Sequence, residues 1–575
     1  MTNFNSSNSP TCRAFGWLYD NHPRTAISNL NLLVEPVCDA PKKSPGSGRS
    51  HGYWKDLLNI LALETIGELR GGDLSYLNHP RTQRTSPNRR RSKVGKPESG
   101  ADANARAKEA AAKECKKKNE QFHDHLLTRL KEPQFRALFI AVARLFANQL
   151  LKDVKVLDGL YSAENRIALL KTLSLAGKWA PTPGGSHDRV TNIATAICEL
   201  IYASGSFTYP SILKTSISDE ERARVLLSFY QRWILTELRR ALSCPEPLMS
   251  ANRWTEIKYN FIPSICMKNN QEHFLKHDPD GFEKYLTAVE SGEKTISGAT
   301  LLPHELLAQV LELDDSSTGK TKSVAIRDLK KKIASSKICV VEAQWKTLIS
   351  NLREAGSIKN SIAVCDVSGS MGSIYGKYNN RYVAPILPAV SLSLVLASLA
   401  KPPFNGGFIT FSANPKYKRL DPNEPLTEQV AKVVGSDWGM NTNFSSVFLH
   451  LLLPLAIKNK IKQADMIKRL FVFSDMQFDE AIANGTRNQK FGGGWATNYD
   501  VIETEYKKAG YEVPQIVYWD LAAAPVKEVE DSRKKGVAMM NGFSPAMLKV
   551  FMGEEEEEEV STDWGKVEED GCYGG

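Results

Sequence analysis

Ser361-Ile362-Ala363-Val364-Cys365-Asp366-Val367-Ser368-Gly369-Ser370-Met371 is the stretch on which the reading of this chain turns. An apolar run rich in strand formers drives into one carboxylate and two hydroxyls, and a helix-forming pattern follows at residues 385–400. Such runs suit a buried pleated surface, and in open α/β sheets ligands sit beyond the carboxyl ends of the strands. Asp366, Ser368 and Ser370 stand at alternate positions and can turn their oxygens toward one point. Oxygen-only donors suit a hard cation, Mg²⁺ ahead of Mn²⁺ or Ca²⁺. Read alone, the string also suits a metal-free turn, because Asp, Ser and Gly build turns for their own reasons.

Two later segments bear on that choice. Residues 439–444 form a polar loop with Thr442 just ahead of a helical run, and residues 469–475 are a second buried-type strand that ends on Asp475. Three strand-to-helix loops thus supply Asp, Ser, Ser, Thr and Asp in that order. The order resembles the von Willebrand factor A domain, whose metal-ion-dependent adhesion site reads D-x-S-x-S, then Thr, then Asp. The resemblance spans about residues 355–552. It implies that Ser368 and Ser370 ligate the ion through their hydroxyls, that Thr442 is a direct or switchable ligand, and that Asp366 and Asp475 act largely through bound water. It also implies an open coordination position, which an Asp or Glu of a protein partner would fill. The surrounding pattern agrees with a doubly wound, parallel α/β sheet: helical runs at 385–400 and 427–434 alternate with strand runs at 406–411, 469–475, 513–519 and 536–541.

Working outward, 575 residues are too many for one typical domain. A hydrophobic share of 42% and a charged share of 24% are those of a water-soluble globular chain. No window approaches 18 uninterrupted apolar residues, so no membrane span is expected, and residues 1–10 lack the pattern of a secretory signal. Nine cysteines are scattered without a C-x-x-C pair, as in reduced thiols of a cytoplasmic or nuclear protein. Cys365, beside Asp366, reads as a small core residue rather than a nucleophile.

Residues 1–50 are rich in Asn, Ser and Pro and are expected to be poorly ordered. From 51 to 350 amphipathic helices dominate, beginning with Trp54, Leu57, Leu58 and Leu61 on one face, and predict an all-α solenoid or irregular, HEAT-like array. A basic insertion interrupts it at about 72–120. Residues 78–118 hold 13 Lys or Arg against 4 Asp or Glu, a surplus of nine that equals the whole net charge of +9. Arg89, Arg90, Arg91 and Lys93 are its candidate nucleic-acid contacts, since clustered cations displace counterions from phosphate. The competing reading is a solvated linker running into an exposed Ala/Lys/Glu helix. Trp179 and Trp254 each adjoin a cation and could clamp a nucleotide, or anchor helix corners. Residues 553–575 form an acidic, solvated tail.

Residues 52–58, 176–181, 252–254 and 302–305, ahead of the metal motif, resemble a family of plant and fungal proteins in which a helical region precedes a von Willebrand factor A-like domain. That arrangement is similar to the Ro (TROVE-type) ribonucleoproteins, where a ring of helical repeats binds RNA. The leading functional expectation is an intracellular, non-enzymatic scaffold that captures an acidic protein partner through Mg²⁺. RNA binding by the helical region and basic insertion is the alternative. A metal-assisted hydrolase ranks last, because the loops around Asp366, Thr442 and Asp475 hold no His and only Asp479 and Glu480 are spare acids.

Overall fold

The computed structural model describes residues 10–35, 50–70, 100–159, 165–210, 213, 217–298, 301–316, 324–356, 358–375, 383–401, 404, 406–411, 415–421, 423–434, 446–458, 460–463, 466–475, 495–521 and 537–552. Its packing divides the chain into two units, Phe4–Ile262 and Pro263–Gly575. The first is helical. The second is built on a sheet of six strands.

The strands are β1 (Ser361–Asp366), β2 (Gly407–Phe411), β3 (Lys416–Arg419), β4 (Arg469–Ser474), β5 (Gln515–Asp520) and β6 (Val537–Asn541), in the order β3-β2-β1-β4-β5-β6. β1 pairs in parallel with β2 and β4, and β4, β5 and β6 continue in parallel. Side chains alternate between two buried faces, as strands covered on both sides require. Ile362, Val364, Leu470, Val472, Ile516 and Tyr518 enter one core with Phe448, Ile502 and Tyr506. Ala363, Cys365, Phe471, Phe473, Val517 and Trp519 enter the other.

The sheet is mixed rather than wholly parallel, because β3 runs antiparallel to β2. Its sequence, Lys-Tyr-Lys-Arg, has no apolar alternation to betray it. Charged residues are what a sheet edge uses to discourage a further strand. Tyr417 lies directly against Gly407, leaving no room for a Cβ there.

The boundary between the units also differs from the expected one near residue 350. Helices Ser264–His277, Pro279–Glu290, Pro303–Ser316 and Val324–Arg353 belong with the sheet. The cause is helix Ile386–Leu399, every residue of which is buried. The sheet covers only part of so apolar a helix. Leu306, Leu307, Val310 and Leu311, with Val341, Trp345, Leu348 and Leu352, complete the same core. Its three serines satisfy themselves within the helix, donating to the carbonyls of Pro388 (3.2 Å), Ala389 (2.8 Å) and Leu394 (2.8 Å). Glu342 ties the long helix to helix Leu426–Val434 by accepting from the N–H groups of Leu426 (2.8 Å) and Thr427 (2.9 Å).

In the helical unit, residues 10–34 are ordered, contrary to the expectation for residues 1–50. Helices Pro10–Asn21 and Pro23–Ser28 and the turn Leu30–Leu33 place Tyr19, Ala26 and Leu30 in the core. Helix Trp54–Thr65 is buried nearly throughout, with Trp54 tilted against Phe146 at 4.9 Å between ring centres. Helix Pro133–Gly159 presents Phe135, Leu138, Phe139, Val142, Phe146 and Leu150 at helical spacing. Helix Gly100–Arg129 is exposed over much of its length and carries ion pairs such as Lys113–Glu109 (2.9 Å). Among its described residues it enters the core at Leu126, and Arg129 then reaches the buried Glu64 at 2.5 Å, where Arg70 also arrives at 3.0 Å. Burial raises the Glu64 pKa despite the two guanidiniums, which pull it down. Among the described residues no helix is long and apolar enough to cross a membrane.

Candidate metal centre

The strand order reverses between β1 and β4, and that switch point is where the loops of a doubly wound sheet part and leave a crevice. The chain leaves β1 for helix Ile386–Leu399 in one core and leaves β4 for helix Trp495–Lys508, whose Ile502 and Tyr506 lie in the other. Asp366 ends β1 and Asp475 follows β4, so both carboxylates sit at the crevice, and both are buried.

The loop after β1 folds tightly around Asp366. One carboxylate oxygen, Oδ1, accepts the Ser368 N–H at 2.9 Å. A 3₁₀ turn, Gly369–Met371, follows, and Gly372 adopts φ +84°, a conformation that favours glycine. The turn brings the hydroxyls of Ser368 and Ser370 within 3.0 Å of each other. Ser368 is buried while Ser370 is exposed, so the cluster is closed at its base and open at its rim.

Sequence reasoning missed one member of the cluster. Ser474, the last residue of β4, donates its hydroxyl to Asp366 Oδ2 at 2.6 Å and joins the two strand ends. The signal was the Ser-Asp pair closing an apolar strand. Asp520, at the end of β5, is also buried, and its Oδ2 accepts from Asn541 at 3.4 Å. It sits in register with Ser474. The Leu521 N–H, donating to the Ser474 carbonyl at 2.8 Å, fastens the two ends together.

Burial raises the Asp366 pKa, the hydrogen bonds from Ser474 and Ser368 oppose the rise, and the nearby charge of Asp475 adds to it. Among the described residues no group of three His, Cys, Asp or Glu converges as a metal site. An ion at this end of the sheet would therefore lean on hydroxyl oxygens. The donor set fits a hard divalent cation: two buried carboxylates whose mutual repulsion a cation would relieve, and serine hydroxyls reaching the rim. Cys365 is fully buried, and burial pushes its thiol up to about 12, so it fills the core and is no nucleophile at neutral pH.

The structure thus brings together Asp366, Ser368, Ser370 and Asp475. Thr442, Asp479 and Glu480 lie outside the described residues, as do Arg89, Arg90, Arg91, Lys93 and the acidic tail.

A family model described as "Domain of unknown function (DUF2828)" matches residues 5–358, more than half of the chain. The chain belongs to the DUF2828 family. A second model, "Domain of unknown function (DUF7788)", matches residues 360–572 and takes in all six strands with the candidate metal centre. The DUF2828 match runs past Ile262 and includes the helices that pack on the sheet. A relative, "Uncharacterized protein L728" of Acanthamoeba polyphaga mimivirus, is 27% identical over 428 residues, which is 72% of this chain. The chain spans 63% of that relative's length. Among solved structures, the Ro (RSR) protein of Deinococcus radiodurans aligns over 91% of this chain and 97% of its own at 14% identity, with a TM-score of 0.30. A likeness at that score carries no conclusion about fold or function.

Proposed function

We propose that the sheet unit is a von Willebrand factor A-like domain that holds Mg²⁺ at the ends of β1 and β4 and uses it to capture an acidic side chain of a protein partner. The chain would then be a non-enzymatic binding scaffold. The observation that carries this reading is the cluster itself, in which Asp366 is clamped between the Ser474 hydroxyl at 2.6 Å and the Ser368 N–H at 2.9 Å. Those two bonds fix the carboxylate so that the Ser368 and Ser370 hydroxyls stand over the crevice as neutral ligands. Asp475 supplies the second negative charge from β4.

When bound, the ion supplies an electrophilic position for a carboxylate, because Mg²⁺ with few charged ligands retains exchangeable water. The residues of the chain do the rest. They hold the oxygens at fixed spacing and keep the base of the site closed. Exposure of Ser370 leaves the rim accessible to another protein.

The test is calorimetric titration of the full chain with Mg²⁺ and Mn²⁺, set against a Ser368→Ala, Ser370→Ala double variant whose fold is verified by circular dichroism. Saturable binding lost in the variant is the expected result. Wild-type protein that is folded yet binds neither ion up to about 10 mM, above the weakest oxygen-ligand sites, overturns the reading.

A further inference from the structure

A second concave site lies within the helical unit and owes nothing to the sheet. A cavity of about 370 Å³ is walled by Lys55, Lys178, Trp179, His187, Arg239 and one carboxylate, Asp188. Its size falls in the range of small-molecule pockets and exceeds what a lone inorganic anion needs.

Three cations outnumber the single carboxylate in the wall. The Lys55 and Lys178 ammonium groups stand 5.5 and 5.4 Å from the centre of the Trp179 ring. Arg239 donates to the Gly177 carbonyl (3.2 Å), the Thr182 hydroxyl (3.0 Å) and the Ala180 carbonyl (2.9 Å). These acceptors are neutral, so they fix the guanidinium without cancelling its charge. Two of its five N–H donors are left over. Among the described residues, no carboxylate forms an ion pair with any of the three cations.

The acids at the cavity accept backbone N–H groups. Asp188 accepts the N–H groups of Gly184 (2.8 Å) and Ala194 (2.9 Å), and Asp56 accepts that of Tyr53 (3.1 Å). His187, hydrogen-bonded to Asn59 Oδ1 at 3.0 Å, is pulled down to about 4 by burial and by the Lys55 charge, and is neutral at pH 7. Burial also lowers the Lys55 pKa, with Asp56 opposing. Partly buried cations without an ion-paired carboxylate are held at a cost that a bound anion lowers.

Two features of the backbone accompany this wall. Gly177 lies so close to Leu238 that a Cβ would approach the Leu238 Cβ to 2.7 Å. One turn of helix before Arg239, the chain passes through a π-helical turn, Tyr230–Leu235, which rotates the residues after it relative to a continuous α-helix. Trp179 is only half-buried and is supported by Tyr53, tilted at 5.7 Å. An aromatic ring beside cations is what a nucleobase and its phosphate require.

We infer that this cavity binds a nucleoside phosphate, the phosphate among Lys55, Lys178 and Arg239 and the base against Trp179. The inference is independent of the cation site in the sheet unit. Its source is either a free nucleotide or the phosphorylated end of an RNA strand.

The experiment is calorimetry on the full chain with AMP, with inorganic phosphate and with a short 5′-phosphorylated single-stranded RNA. AMP should bind saturably and phosphate more weakly. Lys55→Met and Lys178→Ala should each weaken AMP roughly tenfold or more, as loss of one charge-assisted contact does. Trp179→Leu should weaken AMP by a larger factor than phosphate. Competition between the RNA and AMP assigns the site to an RNA end; AMP binding without competition assigns it to a free nucleotide. The inference fails if AMP does not saturate, whether or not phosphate does, or if the two lysine variants bind AMP as the wild type does. Lys178 is only half-buried, so its variant remains informative should Lys55→Met unfold.

Discussion

The two candidate sites are assembled in opposite ways. In the sheet unit, Asp366, Ser368 and Ser370 come from one strand end, and Ser474 and Asp475 from its neighbour. In the helical unit, the cavity draws on Lys55, on residues 178–188 and on Arg239, which meet only because four separate helical segments pack together. A parallel strand states in sequence where it ends, and the fold then decides which ends are adjacent. A helix gives no such notice, because a residue facing a cavity and one facing the core share the same periodicity. Sites on sheets can therefore be read in one dimension, whereas sites among helices wait for the packing.

That contrast can be broken or sharpened by mutation. The largest effect is expected from Phe471→Ala, which empties a fully buried position under the sheet. It should destabilise the sheet unit by about 3–5 kcal/mol. Hydrogen exchange should show lost protection in β1 and β4 while helix Trp54–Thr65 keeps its own. Equal loss in both would mean that the two units unfold as one.

Next in size, Asp366→Ala should weaken divalent-cation binding by about a hundredfold, roughly the 2.7 kcal/mol of a buried charged partner. AMP affinity, measured on the same sample, should not move. A change in both affinities would show the sites to be coupled.

A smaller effect distinguishes the helical unit by pH. Burial raises the Asp56 pKa from 3.8 to about 6, against the Tyr53 N–H and Lys55, which lower it. The folded state therefore holds this proton more tightly than the unfolded chain does. The stability contributed by the protonated form is fully present below 3.8 and is lost as pH rises through 6. Asp56→Asn cannot ionise and still accepts from Tyr53, so its stability relative to wild type should climb by about 1–2 kcal/mol between pH 4 and pH 7. Denaturant midpoints at the two pH values measure it, and a pH-independent difference would refute it.

The smallest is Glu342→Ala, which uncaps helix Leu426–Val434. A loss of about 1 kcal/mol is expected, confined to the sheet unit. Its appearance there would support placing the long helix Val324–Arg353 with the sheet.

Much of the fold was legible because burial leaves runs. Ile362 to Cys365, Phe408 to Thr410 and Leu470 to Phe473 read as strands from their apolar, β-branched and aromatic content alone. β3 was invisible, since an edge strand of Lys-Tyr-Lys-Arg buries nothing continuous. Residues 10–34 read as loose because their core contribution is thin, resting on Tyr19, Ala26 and Leu30 among Asn, Thr and Ser. The helices from Ser264 to Arg353 read as one array with those before them, because helices amphipathic toward a sheet look the same as helices amphipathic toward one another. Of the candidate metal centre, the Asp and Ser positions were readable as strand ends, whereas Ser474 needed the β1–β4 register to reveal that it reaches Asp366. Of the second site, only the Lys178-Trp179 pair was visible in advance.

Helix Ile386–Leu399 carries a consequence for the birth of the protein. It has no face to offer water, and a nascent chain displaying it would be sticky. The helices that cover it, Pro303–Ser316 and Val324–Arg353, stand earlier in the chain and leave the ribosome first, since synthesis runs from the N-terminus. The lid is made before the thing it covers. The order of elements along the polypeptide thus doubles as a schedule, in which a wholly apolar-faced helix emerges beside part of its eventual surroundings and needs the sheet to close over it.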